Sequence, residues 1–286
     1  MSTLFRVEFQ LPDIQKIVRK AGACMVWGGA VSLSPADDLL VRIERELDID
    51  GEGQLISSVL SKKIAAGSTH VIIDIPVGET AKVRSSTEAD YLASLFSRVG
   101  AACGIQVRCI VTDGSRPIGA GIGPVEEARD LLAVLQNLPQ APADLRERAL
   151  ELSANLLDMA ENCGIETACG RARHILQSGQ AWQQFQLIAE AQGGLRPLPQ
   201  ATSSAVQKAE RAGVLKAIDN RRLARLAKLA GAPQDLSAGL RLHANVGSVL
   251  KRYDPLFTLF SDSPGERDYA LDYFRSNSDM FVIDES

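Results

Sequence analysis

Four residues close together in the chain have side chains that do chemistry as a group: Asp50, Ser58, Lys62 and Lys82. They fall within LDIDGEGQLISSVLSKKIAAGSTHVIIDIPVGETAKV, Leu47 to Val83. Ser58 and Lys62 are four apart, so in a helix a hydroxyl and an ammonium share one face. Asp50 lies just upstream, beside a glycine, and Lys82 follows Gly78 in a second loop. An acid, a hydroxyl and two cations are what a polar site needs to donate a proton and hold a developing negative charge. Solvated lysines and aspartates in ordinary loops are the competing reading of the same residues.

The elements that must position these residues follow from pattern. Leu55 to Ala66 reads as a helix, with Leu55, Val59, Leu60 and Ile64 at spacings of one face, and Gly67 closes it. His70 to Pro76 is a buried strand. Val107 to Val111 is a second, and Ser86 to Gly104 is the helix between them. Such nearly all-apolar strands suit a parallel sheet covered on both faces. The loop TDGSRPIGAGIGP follows the second strand, where open α/β sheets bind ligands, and its glycines would let a backbone approach a ligand or simply make tight turns.

Upstream, Met1 to Gln10 is expected as an edge strand, Asp13 to Ala21 as a helix and Cys24 to Gly28 as a short strand, with Trp27 in the core. Pro35 to Glu46 has proline at a helix start with Asp37 and Asp38 in the first turn, which suits the helix dipole. Downstream, Pro124 starts a helix, and Ala143 to Asn162 is a long amphipathic one with Leu145, Leu152, Leu156 and Met159 toward the core. Two more helical patterns run Glu166 to His174 and Ala181 to Ala191, with His174 as a surface or packing residue. The stretch GGLRPLPQATSSA, 193 to 205, marks a boundary. Beyond it come strands within Ala205 to Ile218, a helix Asn220 to Leu229 capped by Asn220, short strands at Leu240 to His243 and Leu256 to Phe260, a helix Glu266 to Phe274 and a strand Met280 to Ile283.

The 286 residues suffice for two domains. A net charge of −4 and a pI near 5.5 give no electrostatic footprint for nucleic acid. No apolar run has the length of a membrane span, and the N-terminus lacks the pattern of a secretory signal. Five cysteines without paired spacing suit reduced thiols rather than disulfides or a zinc site, so the cytoplasm is the expected compartment and no metal is expected.

Several ordered segments carry a resemblance: WGGAVSLSPADD (Trp27 to Asp38), DGEGQLISSVLSKKIAAGSTH (Asp50 to His70), DIPVGETAKV (Asp74 to Val83), TDGSRPIGAGIGPVEEARDLLAVL (Thr112 to Leu135) and IDNRRLARLAKLAGAP (Ile218 to Pro233). Together they resemble the thymidine phosphorylase and AMP phosphorylase family, in the family's order and over nearly the whole chain. The resemblance implies a mixed α/β fold with a mostly parallel sheet. Residues 1–34 and 67–195 would form a central domain, 35–66 a small helical segment bearing the base-binding helix, and 196–286 a C-terminal α+β, β-rich domain.

The reaction implied is phosphorolysis of a nucleoside to a sugar 1-phosphate and free base, with thymidine as substrate. AMP, or a non-catalytic binding module, is the alternative. The sugar passes through an oxocarbenium-like state, as in glycoside hydrolysis, and the departing base needs a proton or a nearby cation. The AMP branch of the family implies Asp50 as proton donor with Ser58 and Lys82 on the base. The pyrimidine branch implies Ser58 and Lys62. As donor, Asp50 would need a raised pKa. The pyrimidine branch also has a base-contacting arginine near Glu44 or Arg45. The family's N-terminal helices and its Ser/Thr- and Gly-rich phosphate-binding segment have no match in this sequence, so these residues are read as the C-terminal portion of the fold and expected to be silent by themselves. No organic cofactor is implied, only inorganic phosphate as co-substrate, and the family suggests a homodimer.

Overall fold

A computed structural model describes residues 1–28 and 52–284. The expected helix Pro35 to Glu46 and the positions Asp37, Asp38, Glu44, Arg45 and Asp50 lie outside them.

Local chemistry sets the helix ends. Helix α1 (Leu11–Ala21) has proline in its first turn beside Asp13, Arg19 and Lys20 in its last turn, and Gly22 at φ 74° closing it. After α2 (Glu52–Ala65), Gly67 turns at φ 74° into strand β1 (His70–Val77). Helix α3 (Ser86–Ala102) is capped by Ser85, whose hydroxyl accepts from the Glu88 amide at 3.2 Å, while the Glu88 carboxylate reaches back to the Arg84 amide at 3.0 Å. Strand β2 (Gln106–Asp113) then runs parallel to β1, in register from His70 opposite Gln106 to Val77 opposite Asp113. Ile56, Leu60, Val71, Phe96 and Ile105 bury the contact of α2, the sheet and α3.

The mixed α/β class is as expected. Among the described residues, parallel pairing of strands is confined to β1 and β2, with one isolated parallel bridge of Val77 to Val83; the other two sheets are antiparallel. These antiparallel pairs are not hairpins: each joins strands that are not consecutive in the chain, such as β4 with β8 and β5 with β9.

After β2 come the two-residue strand β3 (Gly121–Ile122), α4 (Pro124–Leu135), α5 (Ala143–Glu161), α6 (Ile165–Gln177) and α7 (Gln180–Ala191). Leu150 and Ala154 are the buried positions of α5, and Leu156 is 41% exposed instead of in the core; likewise α2 buries Ile56 and leaves Ile64 40% exposed. On α5 the buried stripe lies two positions from the expected one, whereas α2 buries Leu60 as expected, with Ile56 beside it and Leu55 and Val59 packed against the same core; the neighbouring helices decide which face is covered.

The N-terminal segment corrects two expectations. Met1 to Gln10 is a turn followed by irregular chain, and Cys24 to Trp27 is not a strand. The fully buried Gln192 side chain does the work of a neighbouring strand: its oxygen accepts from the Met25 amide, and its nitrogen donates to the Arg6 and Met25 carbonyls, each at 2.8 Å. With those backbone groups satisfied by a side chain, no ladder is needed. Trp27, expected in the core, is 59% exposed.

The rest is built from β4 (Ser203–Lys208), β5 (Gly213–Ile218), α8 (Asn220–Leu229), β6 (Gly239–Leu242), β7 (Val249–Leu250), β8 (Pro255–Ser261), α9 (Pro264–Ser276) and β9 (Phe281–Asp284). The sheets run β3-β6-β8-β4 and β7-β5-β9. Leu215, Leu226, Leu240, Phe257 and Met280 centre their shared core, where the Phe257 ring meets Phe274 edge-on at 5.0 Å and stacks on Phe281 at 5.5 Å. The cap of α8 is Asp219, not Asn220. The Asp219 carboxylate accepts from the amides of Arg221 and Arg222 at 2.9 and 3.0 Å, which leaves the Asn220 side chain for another task.

Glycines of the TDGSRPIGAGIGP loop serve internal packing. A methyl on Gly121 would lie 2.3 Å from the Glu126 backbone, and one on Gly123 2.6 Å from the Ala238 carbonyl. Both contacts join β3 and the start of α4 to their own surroundings, so close approach to a ligand is not what these two positions require.

Burial also sorts the five thiols, which are all free. Cys109 is half-buried in β2, and desolvation pushes its pKa up to about 11. At pH 8 it is therefore protonated and covered, and alkylation of the native chain is expected to spare it. Cys103 and Cys169, both exposed, should be modified first. Peptide mass spectrometry after a timed iodoacetamide pulse reads the order; Cys109 modified as fast as Cys103 would show that β2 opens readily.

Candidate functional site

A cavity of about 450 Å³ lies at the carboxyl ends of β1 and β2. Its apolar walls come from Leu55 and Val59 of α2, Ile73 and Ile75 of β1, and Leu92 and Phe96 of α3. Polar side chains gather at one end: Asp74, Thr80, Lys82, Asp113, Arg116 and Asn220. This size and mix, apolar walls with a few convergent polar groups, suit a small planar ligand.

The strand ends create the polar rim. Asp74 accepts from the Thr112 hydroxyl at 2.6 Å and pairs with Arg148 of α5 at 3.3 Å. Arg148 also donates to the Asp113 carbonyl at 3.4 Å, tying both strands to one helix. The Asp113 carboxylate accepts from the Ser115 hydroxyl at 2.6 Å and amide at 2.9 Å, and Arg116 lies 3.3 Å from it. The two Ser115 hydrogen bonds outweigh a small opposing effect of burial and, with the charges of Arg116 and Arg148, hold Asp113 below the usual carboxylate range. At neutral pH it is an acceptor and not a proton donor.

Two loops form the mouth and touch through glycine. A methyl on Gly78 would sit 2.6 Å from the Gly114 carbonyl carbon, and one on Gly114 would sit 2.9 Å from Pro76. The Gly78 loop closes on itself, with the Gly78 amide donating to the Val83 carbonyl at 3.1 Å and the Ala81 amide to the Gly78 carbonyl at 3.0 Å. Lys82 is carried on this loop. From the far side, α8 adds Asn220, whose amide group donates to the Gly114 carbonyl at 3.1 Å.

Of the four residues expected from sequence, Lys82 lines the cavity. Ser58 and Lys62 are half-buried on α2 and do not line it. At 3.6 residues per turn, Ser58 stands about 60° around the helix from Leu55, which does. Asp50 lies outside the described residues. Sequence reading passed over Asp74, Asp113, Arg116, Arg148 and Asn220. The signal for the first two was present: each is an acid near the end of one of two parallel strands, ahead of a glycine loop. Arg148 and Asn220 arrive from distant helices and carry no local mark.

The sequence also matches known proteins. A model described as "Pyrimidine nucleoside phosphorylase C-terminal domain" matches residues 214–280. A Legionella pneumophila (strain Paris) protein named "Putative thymidine phosphorylase" is 50% identical over 286 residues, all of this chain and 55% of its own length. The chain is thymidine phosphorylase-like from end to end. A Polaromonas protein of the same name is 51% identical over 283 residues, and an Acidovorax one, "Putative thymidine phosphorylase 2", 51% over 286. The chain spans 55% of the Polaromonas protein and 56% of the Acidovorax one, so a little over half the length of the thymidine phosphorylase-like relatives it matches. Among the described residues, no helix is long and apolar enough to cross a membrane, and no group of three or more His, Cys, Asp or Glu is placed to hold a metal ion.

Proposed function

We propose that the cavity is the base-binding end of a nucleoside phosphorylase site, acting on thymidine and phosphate to give 2-deoxyribose 1-phosphate and thymine. The observation that carries this is Lys82 at the polar end of a cavity with apolar walls at the strand ends. A flat base fills the apolar part, and the ammonium meets an oxygen of the base on which negative charge grows as the glycosidic bond breaks. A cation placed in advance at that point lowers the barrier without reorganising during the reaction. The resemblance adds, from the AMP branch, Asp50 as proton donor with Ser58 and Lys82 on the base, and, from the pyrimidine branch, Ser58 and Lys62.

One observation favours a second reading. Arg116 lines the same cavity, and a second cation suits a nucleoside 5′-monophosphate such as AMP.

Binding is the readout that tests the base-end assignment, because it reports on the cavity directly. Calorimetry of the 286-residue chain with thymidine, thymine, AMP and adenosine is expected to give saturable binding of thymidine. AMP binding far more tightly than adenosine, with the difference lost in Arg116→Ala, would move the assignment to the monophosphate. No saturable binding of any of the four at millimolar concentration would refute both.

A further inference from the structure

The loop that carries Lys82 is held from outside by one residue of α8. Arg221 Nε donates to the Thr80 carbonyl at 3.0 Å, and its Nη2 donates to the Ala81 carbonyl at 3.2 Å. These two carbonyls immediately precede Lys82. Next to Arg221, Asn220 donates to the Gly114 carbonyl on the loop that packs against Gly78. Asp219 fixes the start of α8 by capping the amides of Arg221 and Arg222. Adjacent residues on one helical turn therefore grip both loops at the cavity mouth, across about 140 positions of sequence in the case of Arg221.

We infer that Arg221 is a positioning residue: it sets the conformation of residues 78–84 and with it the place of Lys82. This rests on the nucleoside-phosphorylase reading only for what Lys82 is positioned to do. Three features support it. A planar guanidinium fork spans two successive carbonyls, which a point-like ammonium cannot do. Among the described residues, the backbone ties within the loop are the 78–83 and 78–81 hydrogen bonds and the parallel bridge of Val77 with Val83, and the two bonds from Arg221 add an outside tie of the same number. Thr80 also has a side-chain oxygen that is buried without a hydrogen-bond partner, a cost the loop sustains only if other contacts hold it in this shape. Arg221 itself is exposed, and its side chain is no part of the cavity wall or the C-terminal core.

The test is amide hydrogen exchange on the intact chain, comparing wild type, Arg221→Ala and Arg221→Lys. Arg221→Ala is expected to speed exchange at the Gly78 and Ala81 amides by about tenfold or more, the factor for losing hydrogen bonds to a charged donor. Amides at Leu223 to Leu229 and the urea midpoint should stay at wild-type values. Arg221→Lys, able to reach one carbonyl at a time, should lie between. Unchanged exchange in residues 78–84, or acceleration spread evenly over the C-terminal core, would overturn the inference. Thymidine and AMP titrations of the same variants separate the two claims. If wild type binds neither, the function assignment falls and the exchange data still decide the tie. If wild type binds, Arg221→Ala should weaken binding several-fold with stability unchanged, and equal affinity would show that the tie does not serve Lys82.

Discussion

Arg241→Met is expected to lower the unfolding free energy by about 3 kcal/mol, the lower end of the range for stripping the partner from a buried charge. Glu126 and Asp130, both about 3% exposed, lie four apart on α4 and point the same way. Arg241 enters from β6, with Nε 2.5 Å from Glu126 and Nη2 3.1 Å from Asp130. Burial works against its charge, but the hydrogen bond and charge of Glu126, and then those of Asp130, overcome this and raise its pKa. Asp130 also accepts from the amides of Ala120 and Gly121 at 2.7 Å each. Removing Arg241 leaves two carboxylates out of water, with Arg129, 3.1 Å from Glu126, as the remaining cation on them. Arg241 keeps 28% of its side chain exposed, so water offsets part of the loss. Adding Glu126→Gln to Arg241→Met should recover part of it, since one unpaired charge is gone. Urea unfolding of the three proteins measures this. A loss below about 1 kcal/mol, the scale of a surface pair, would mean that solvent reaches the network.

Lys82→Ala should weaken thymidine or AMP binding by about tenfold to a hundredfold, the range for a hydrogen bond to a charged partner. Lys62→Ala should cost less. Lys82 is on the cavity wall, whereas Lys62 is half-buried on α2 and does not line it. Calorimetry on both variants, with the circular dichroism spectrum as a folding control, separates them. A larger loss in Lys62→Ala would place the base against the Ser58 face of α2 and reassign the cavity.

Elements were legible where the signal was local. Pro12, Ser85, Pro124 and the glycines at 22 and 67 stop and start helices by short-range chemistry, and those boundaries fall within a few residues of expectation. What the sequence hid was contact between distant parts. Gln192 takes over hydrogen bonds that seemed to call for strands at Met1 to Gln10 and Cys24 to Gly28, and nothing near those segments announces it. The same holds at the site. Lys82 was found because a family motif carries it, while Arg148, Asn220 and Arg221 act across intervals that no spacing rule spans. The glycine loop was misleading for a related reason. Its close approaches are real, but the partners are Glu126 and Ala238 of the chain itself.

The two-residue strand β3 bears on how this protein can be divided. It pairs with β6, placing Gly121 opposite Arg241 and Ile122 opposite Leu240, yet it precedes the rest of that sheet by some eighty residues of sequence. A fragment cut at the Pro- and Ser-rich stretch would leave β6 as a bare edge, with Arg241 facing no carboxylate and Leu240 uncovered on that side. Unpaired strand edges recruit further strands, so such a piece would tend to self-associate in a bacterial expression host. A piece begun at residue 214, where the matched family region starts, would also lack β4 and the first residue of β5. A soluble excised version would have to carry Ala120 to Ile122 with it, for instance by joining them through a short linker to the start of β4.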